Sequence, residues 1–228
     1  GLELQVRVGI ADGEDDAEEG DAVGVVDRGV EELGPHLRGD RSLGEDLLEI
    51  LGPLTKAPLH AHLPRLDWPQ GYRPFCTWLA ISHEGQGYQS GPQLNLGVHA
   101  DHVAIRLGWD PAADGFGRFE FQCRHGGLGA SLGEIASGRG FRFRVYASAP
   151  WPEGSRRVFE SGSDWAGSFE EVRRRGVWWE VGLRLDLPDH GPRIHSPSLG
   201  GEAAGVFAAL LPCVDRVVGV GGEESPTV

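Results

Sequence analysis

The sequence predicts an α+β fold in which helices pack on one face of a mainly antiparallel sheet. Between residues 75 and 187, hydrophobic residues recur at every second position in several separate segments, and segments of helical spacing occur before, between and after them. Within each two-residue period, the apolar side chains fall on one side and the polar side chains on the other. That division is typical of antiparallel sheets with one buried face, and it argues against a doubly wound parallel sheet.

Two helices are predicted in the first quarter of the chain, after a weakly alternating segment that predicts a short strand at residues 3–10. In the first helix, apolar residues recur at helical spacing from Val23 to Leu33. In the second, Ser42 and Glu45 form a capping box ahead of a leucine-rich stripe. A Gly-Pro pair ends each helix. Helices joined by so short a turn are expected to pack as an antiparallel pair.

The rest of the chain alternates between predicted strands and helices. Strands are predicted at residues 75–82, 93–99, 102–109, 141–146 and 177–187, and helices at residues 163–175 and 202–211. Pro212 is expected to end the last helix. Residues 115–138 are rich in glycine, and Phe119 and Phe121 suggest a brief strand there. These elements predict a single domain at residues 22–215, between a leader at 1–21 and a flexible tail at 216–228.

The net charge of −13 is concentrated near the N-terminus. Residues 1–63 hold 15 acidic and 5 basic residues, whereas residues 64–221 hold 17 acidic and 16 basic ones. The body of the protein is therefore nearly neutral, and its overall charge does not exclude an anionic partner. Residues 11–21 are an acidic run that repels itself, so the leader is expected to stay flexible and solvated.

The cysteine pattern and the hydropathy exclude several classes of protein. Cys76, Cys123 and Cys213 are odd in number and show no C-x-x-C spacing, which argues against a disulfide framework and a cysteine zinc site. No segment approaches 18 consecutive apolar residues, and the N-terminus lacks the pattern of a signal peptide. We therefore expect a soluble, cytoplasmic protein with no membrane partner, and no motif indicates a cofactor.

Residues 93–109 predict a hairpin with Ala100 and Asp101 at its tip. In this register Leu94 faces Leu107 and Leu96 faces Ile105, so that every apolar residue lies on one side. The opposite side of the sheet carries a set of polar residues: Asn95, Arg106, Arg142, Arg144, Tyr146 and Arg184. Because arginine presents a planar fork that matches carboxylate and phosphate, this face is a candidate binding surface for an anionic small molecule or a nucleic acid. The alternative is the solvated side of an ordinary sheet.

The predicted function is a non-enzymatic binding module, whose ligand-binding residues are Asn95, Arg106, Arg142, Arg144 and Arg184. The alternative is a metal-dependent hydrolase. His60 and His62, with a second pair at His99 and His102, are its candidate metal ligands, because His-x-His on a strand puts both rings on one face. Such a metal would activate water. The spacing matches no recognised metal motif, and solvent-exposed or hydrogen-bonded histidines are the alternative interpretation.

One catalytic pattern occurs in the glycine-rich region. Residues 129–133 match G-x-S-x-G, with Ser131 at the nucleophile position. A nucleophile elbow requires a buried strand that runs directly into the turn. Residues 124–127 read Arg-His-Gly-Gly and predict no strand, so the pattern does not indicate a hydrolase of this type.

Several short segments resemble the YktB-like family of uncharacterised bacterial proteins. The chain shares the paired N-terminal helices with residues 31–37 (EELGPHL) and 58–62 (PLHAH), then TWLA at 77–80, QLNLGV at 93–98 and DHVAI at 101–105. A strand at 181–187 and a helix that closes on Leu-Leu-Pro complete the resemblance over about residues 22–215. The resemblance implies an α+β domain of unknown function and assigns no catalytic residue. The paired arginines and Asn-Pro-Pro of that family's pattern are replaced here by residues 63–69 (LPRLDWP).

Overall fold

A computed structural model of the chain describes residues 43–63, 76–85, 90–99, 101–113, 115–146, 164–194 and 199–219. The predicted leader, the strand at 3–10 and the first predicted helix lie outside the described residues. The helices of the described part are α1 (Leu43–Leu51), α2 (Phe116–His125), α3 (Leu128–Arg139), α4 (Trp165–Arg175), α5 (Leu187–Ile194) and α6 (Leu199–Val218). Its strands are β1 (His60–His62), β2 (Cys76–Ser82), β3 (Gln93–His99), β4 (His102–Trp109), β5 (Arg142–Tyr146) and β6 (Trp178–Asp186).

The six strands form one sheet in the order β1-β2-β3-β4-β6-β5, and every neighbouring pair is antiparallel. The α+β fold class predicted from the sequence is therefore confirmed. The β3–β4 hairpin has the predicted register, with Leu94 opposite Leu107 and Leu96 opposite Ile105. The alternation of apolar and polar residues specifies this register, because a slip by one residue would turn every leucine away from the core.

A single hydrophobic core lies between the helices and one face of the sheet. All six helices contribute buried residues to this core. The sheet contributes the apolar residues at odd positions of β6 and, in the neighbouring strands, the residues that pair with them. An aromatic cluster forms its centre, where the ring of Trp179 lies 4.9 Å from that of Phe119 and 5.3 Å from that of Phe169. The indole N–H of Trp179 donates to Ser168 Oγ at 2.8 Å, so this buried polar group is satisfied. The helices therefore cover the apolar face of the sheet, as predicted.

The prediction for residues 115–138 was wrong, since this region forms α2 and α3 and no strand. Phe116, Phe119 and Cys123 are buried at helical spacing on α2, and the glycines obscured that period in the sequence. Gly127 precedes α3 with φ of 77°, a left-handed conformation that favours glycine. Ser131 lies inside α3, where its hydroxyl donates to Gly127 O at 3.4 Å. The G-x-S-x-G pattern is therefore helical and forms no nucleophile elbow.

The end of the chain is more helical than the sequence predicts. Helix α5 replaces part of the predicted connection after β6, and α6 continues through Pro212 to Val218. The helix continues because Cys213, Val214 and Val217 extend its buried apolar stripe. Three residues of the predicted tail therefore belong to α6. Within the described ranges, no helix is long and apolar enough to cross a membrane.

A polar contact ties the end of α6 to the segments that flank β1 and β2. Asp215 Oδ1 accepts a hydrogen bond from Thr55 Oγ1 at 2.9 Å and lies 2.9 Å from His83 Nε2. His83 Nδ1 lies 3.0 Å from the carbonyl oxygen of Pro58. Both ring nitrogens of His83 thus face an oxygen acceptor, and the imidazole bridges Pro58 and Asp215. The contact fixes one edge of the sheet against the helical layer.

Candidate functional site

The second face of the sheet is polar, and we call it the polar face. Its described side chains are Gln93, Asn95 and His99 of β3, His102 and Arg106 of β4, Arg142 and Arg144 of β5, and Trp178, Glu180, Arg184 and Asp186 of β6. They share this face because they alternate with the core residues along each strand. Gly97, Gly108 and Gly182 lie among them and leave room for their larger neighbours.

Three polar atoms converge above Gly97 of β3. A Cβ atom placed on this glycine would lie 3.2 Å from His99 Nε2, 3.5 Å from Arg106 Nη2 and 3.5 Å from Asn95 Oδ1. Asn95 and Arg106 are direct partners across the β3–β4 ladder, and His99 is the next residue on the same side as Gly97. We call this arrangement the Gly97 site. The three side chains therefore come close together over Gly97, on one face of the β3–β4 hairpin.

Asn95 contributes a buried acceptor to the Gly97 site. The residue is only 7% exposed, and its Nδ2 donates to Gln93 Oε1 at 3.3 Å. Its Oδ1 accepts no hydrogen bond in the structure as described, and Gln93 Nε2 likewise donates none. Leaving a buried acceptor unsatisfied costs about 1–3 kcal/mol. The amide oxygen of Asn95 is therefore an acceptor that an added donor group would satisfy.

The buried carboxylate of Glu180 holds the Arg106 guanidinium in place next to the Gly97 site. The distance from Arg106 Nε to Glu180 Oε1 is 3.0 Å, and their side chains are 12% and 4% exposed. This buried ion pair uses the Nε of the guanidinium, whereas Nη2 is the atom that faces the space above Gly97. Arg144 lies directly opposite Glu180 on β5, so Glu180 lies between two arginines. A carboxylate that fixes a guanidinium in this way prepares it to bind an anion.

The hairpin tip carries a cluster of histidines and charges next to the Gly97 site. The rings of His99 and His102 stack in parallel, with centroids 4.1 Å apart. His102 Nδ1 donates to Asp101 Oδ1 at 2.7 Å. Arg184 Nε donates to Asp186 Oδ1 at 2.6 Å, and Arg184 Nη2 lies 3.4 Å from Asp101 Oδ2. Hydrogen bonds and ion pairs between these histidine, arginine and aspartate side chains therefore hold the hairpin tip together.

These neighbours shift the pKa values of His102 and Asp101. Burial lowers the pKa of His102, and it outweighs the raising effect of the hydrogen bond to Asp101. The charges of Arg184 and Arg106 lower that pKa further. Burial of Asp101 would by itself raise the pKa of that carboxyl, but the hydrogen bond from His102 and the charges of His102 and Arg184 hold it below its usual value.

We predict that the fold loses stability on acidification in part through His102. Its folded-state pKa lies below the unfolded value of 6.5, so the unfolded chain binds the proton more readily. The free energy of unfolding should therefore fall as the pH drops from about 7 through the folded-state pKa. Asp101, whose pKa lies below 3.8, adds a further loss at lower pH. Urea unfolding at pH 7.5 and pH 5.5 measures the first effect.

The matched control for this prediction is His102→Asn, which keeps a donor near the position of Nδ1 and does not titrate. Wild type should lose more stability than His102→Asn between the two pH values. Equal losses would show that the protonation of groups other than His102 accounts for the whole pH dependence.

The structure does not bring the four predicted metal ligands together. His62 shares a row of the sheet with Ala80 and Asn95, whereas His99 lies four residues farther along β3, a distance of about 13 Å. Direct metal–nitrogen bonds are about 2.1 Å long, so these rings cannot share one metal ion. His62 Nε2 instead donates to Glu84 O at 2.8 Å, and the ring of His60 packs beside Gly85. Over the described ranges, no group of three or more His, Cys, Asp or Glu residues is arranged to hold a metal.

The predicted ligand-binding residues divide into three groups. Asn95 and Arg106 meet at the Gly97 site, whereas Arg184 lies at the hairpin tip in contact with acidic residues. Arg142 is exposed on β5 and lies opposite Gly182, while Arg144 is 9% exposed beside Glu180. Three contributors escaped the sequence reasoning: Gly97 as the floor of the site, and Glu180 and Asp101 as partners of the arginines. In the sequence, only the alternation along β6 indicated that Glu180 lies on the face opposite the core residues.

Comparisons with known proteins give one partial similarity. No family model matches the chain. UPF0637 protein OB1420 of Oceanobacillus iheyensis is 36% identical over 67 residues, which are 29% of this chain and 33% of that protein. The match thus spans about a third of the length of the relative. YktB belongs to the same UPF0637 group. The chain is therefore similar, over this segment, to an uncharacterised bacterial protein.

Proposed function

We propose that this protein is a non-enzymatic binding module whose polar face holds an anionic ligand at the Gly97 site. The observation that carries the proposal is the convergence of Arg106 Nη2, Asn95 Oδ1 and His99 Nε2 within 3.5 Å of one point. Arg106 supplies the positive charge, and Glu180 keeps its guanidinium in place. The similarity to a UPF0637 protein supports placement in the YktB-like family, and a cytoplasmic location fits the composition of the chain.

A small anion suits this face better than a nucleic acid. Nucleic-acid binding relies on a continuous positive surface that tracks many phosphates. Here Arg106 is paired with Glu180, and Arg184 is paired with Asp186 and Asp101. Acidic residues thus interrupt the row of arginines among the described residues, and Arg106 Nη2 is the guanidinium atom that lies at the Gly97 site. Arg142, which is exposed at the sheet edge, can contribute a further contact to a larger anion.

Gly97→Ala tests the proposal, because the new methyl group fills the space above the glycine. The methyl would lie 3.2 Å from His99 Nε2, so that ring must move by a few tenths of an ångström while the backbone stays in place. We expect the affinity for inorganic phosphate, sulfate or citrate to fall at least about tenfold, with the melting temperature nearly unchanged. Isothermal titration at constant ionic strength measures the affinity.

Gly108→Ala is the matched control on the neighbouring strand. Its methyl would meet only the ring of Trp178 at 3.6 Å and Glu180 Cγ at 4.0 Å, which are ordinary van der Waals contacts. This variant should bind the same anions as wild type. The proposal fails if wild type binds none of the three anions, or if Gly97→Ala and Gly108→Ala bind them equally well.

A further inference from the structure

We infer that the Gly97 site selects a protonated tetrahedral oxyanion, and that its ligand is inorganic phosphate in preference to sulfate. The inference rests on the proposed function and specifies the chemistry of the ligand. It depends on two atoms that each lie 3.5 Å from a Cβ atom placed on Gly97, Arg106 Nη2 and Asn95 Oδ1. One is an obligatory donor, and the other is an acceptor that accepts no hydrogen bond in the described structure.

The site is compact enough for one small group to reach both atoms. Arg106 Nη2 and Asn95 Oδ1 each lie 3.5 Å from the same point, so the two atoms are no more than about 7 Å apart. Hydrogen bonds of about 2.8 Å at each end leave room only for closely spaced ligand atoms between them. The oxygens of a single tetrahedral anion meet this requirement. The 7% exposure of Asn95 likewise favours a small ligand.

The buried acceptor decides which oxyanion fits. A fully deprotonated oxyanion presents only acceptor oxygens, so it would place a negatively charged oxygen against the carbonyl oxygen of Asn95. Inorganic phosphate at neutral pH retains at least one P–OH group, which can donate to Asn95 Oδ1 while another oxygen accepts from Arg106. Sulfate has the same shape but carries no proton at neutral pH. A buried polar group left unpaired by a ligand strongly discriminates against that ligand.

The requirement for a P–OH donor also distinguishes inorganic phosphate from phosphate esters. A monoester loses its last P–OH group with a second pKa of about 6, and a diester has none. A monoester should therefore bind well only below about pH 6, whereas inorganic phosphate should still bind above pH 7. His99 Nε2, the third atom at the site, can donate or accept according to its tautomer and is compatible with either ligand.

The test compares inorganic phosphate, sulfate and methyl phosphate by isothermal titration of the full chain at pH 7.5 and constant ionic strength. Phosphate should bind at least about tenfold more tightly than sulfate and methyl phosphate. In Asn95→Leu, which keeps a similar side-chain volume and removes the acceptor, the ratio of phosphate to sulfate affinity should fall to about one. Gly108→Ala should keep the wild-type ratio.

The outcomes separate the inference from the proposed function. If wild type binds sulfate as tightly as phosphate and Gly97→Ala binds neither, the anion site stands and the selection for a protonated ligand is wrong. If wild type binds none of the anions, both are wrong. The comparison of the two anions on wild type decides the inference even if Asn95→Leu does not fold.

Discussion

Arg106→Met should destabilise the fold by about 3 kcal/mol, because it removes one of the two arginines beside the buried Glu180 carboxylate. The Glu180 side chain is only 4% exposed and lies 3.0 Å from Arg106 Nε. Methionine keeps much of the length of the arginine stem, so the loss reports chiefly on the charge and its hydrogen bonds. Urea unfolding at pH 7.5 measures the change in the free energy of unfolding.

The double variant Arg106→Met/Glu180→Leu separates the structural role of the ion pair from its role in binding. Replacing both partners of a buried ion pair with apolar residues of similar size is often neutral or stabilising. The double variant should therefore recover part of the stability lost in the single variant, since Arg144 loses the carboxylate that lies opposite it on β6. It should still fail to bind phosphate. If the double variant binds phosphate with wild-type affinity, Arg106 does not belong to the binding site.

Gly182→Ala should be the second large effect, with a loss of about 3 kcal/mol from overpacking between β4 and β6. A Cβ atom on Gly182 would lie 2.6 Å from Arg106 Cα and even closer to the carbonyl oxygen of Ile105. Both neighbours belong to the backbone, so no side-chain rotation relieves the clash. The two strands must separate at the centre of the sheet.

Thermal and urea unfolding of Gly182→Ala, measured beside Gly108→Ala, test this expectation. Gly108 is also a strand glycine on the polar face, but its added methyl meets no backbone atom within 4 Å. The control should lie within about 1 kcal/mol of wild type. Similar stabilities for the two variants would show that the strands tolerate a side chain at position 182. The close packing of β4 against β6 would then not determine the geometry beneath Arg106.

The parts of the fold that were predictable are those in which the local pattern determines the structure. The alternation of Leu94, Leu96, Ile105 and Leu107 gave both the strands and their register, because only one register places all four side chains in the core. The region of α2 and α3 was not predictable in this way. Its glycines interrupt the helical period, and only tertiary burial of residues such as Phe119 shows that the helix forms.

The candidate site was partly predictable for the same reason. Asn95 opposite Arg106 follows from the hairpin register alone. Glu180 lies next to Arg106 only because β6 pairs with β4 across about 70 intervening residues, and no local pattern specifies such a pairing. The four histidines illustrate the opposite error, because closeness in the sequence suggested a cluster. The sheet instead places one strand, β2, between His62 and His99, and offsets the two residues by four positions along the strands.

An NMR titration of the ¹⁵N-labelled protein with inorganic phosphate tests the central claim most directly, because it locates the ligand as well as detecting it. We expect the largest backbone amide shifts at Asn95, Gly97 and Arg106, with the Arg106 side-chain signals moving in the same titration. Gly97→Ala should need at least about tenfold more phosphate to reach the same shifts. Shifts confined to residues away from the polar face, or a titration of Gly97→Ala that matches wild type, would contradict this claim.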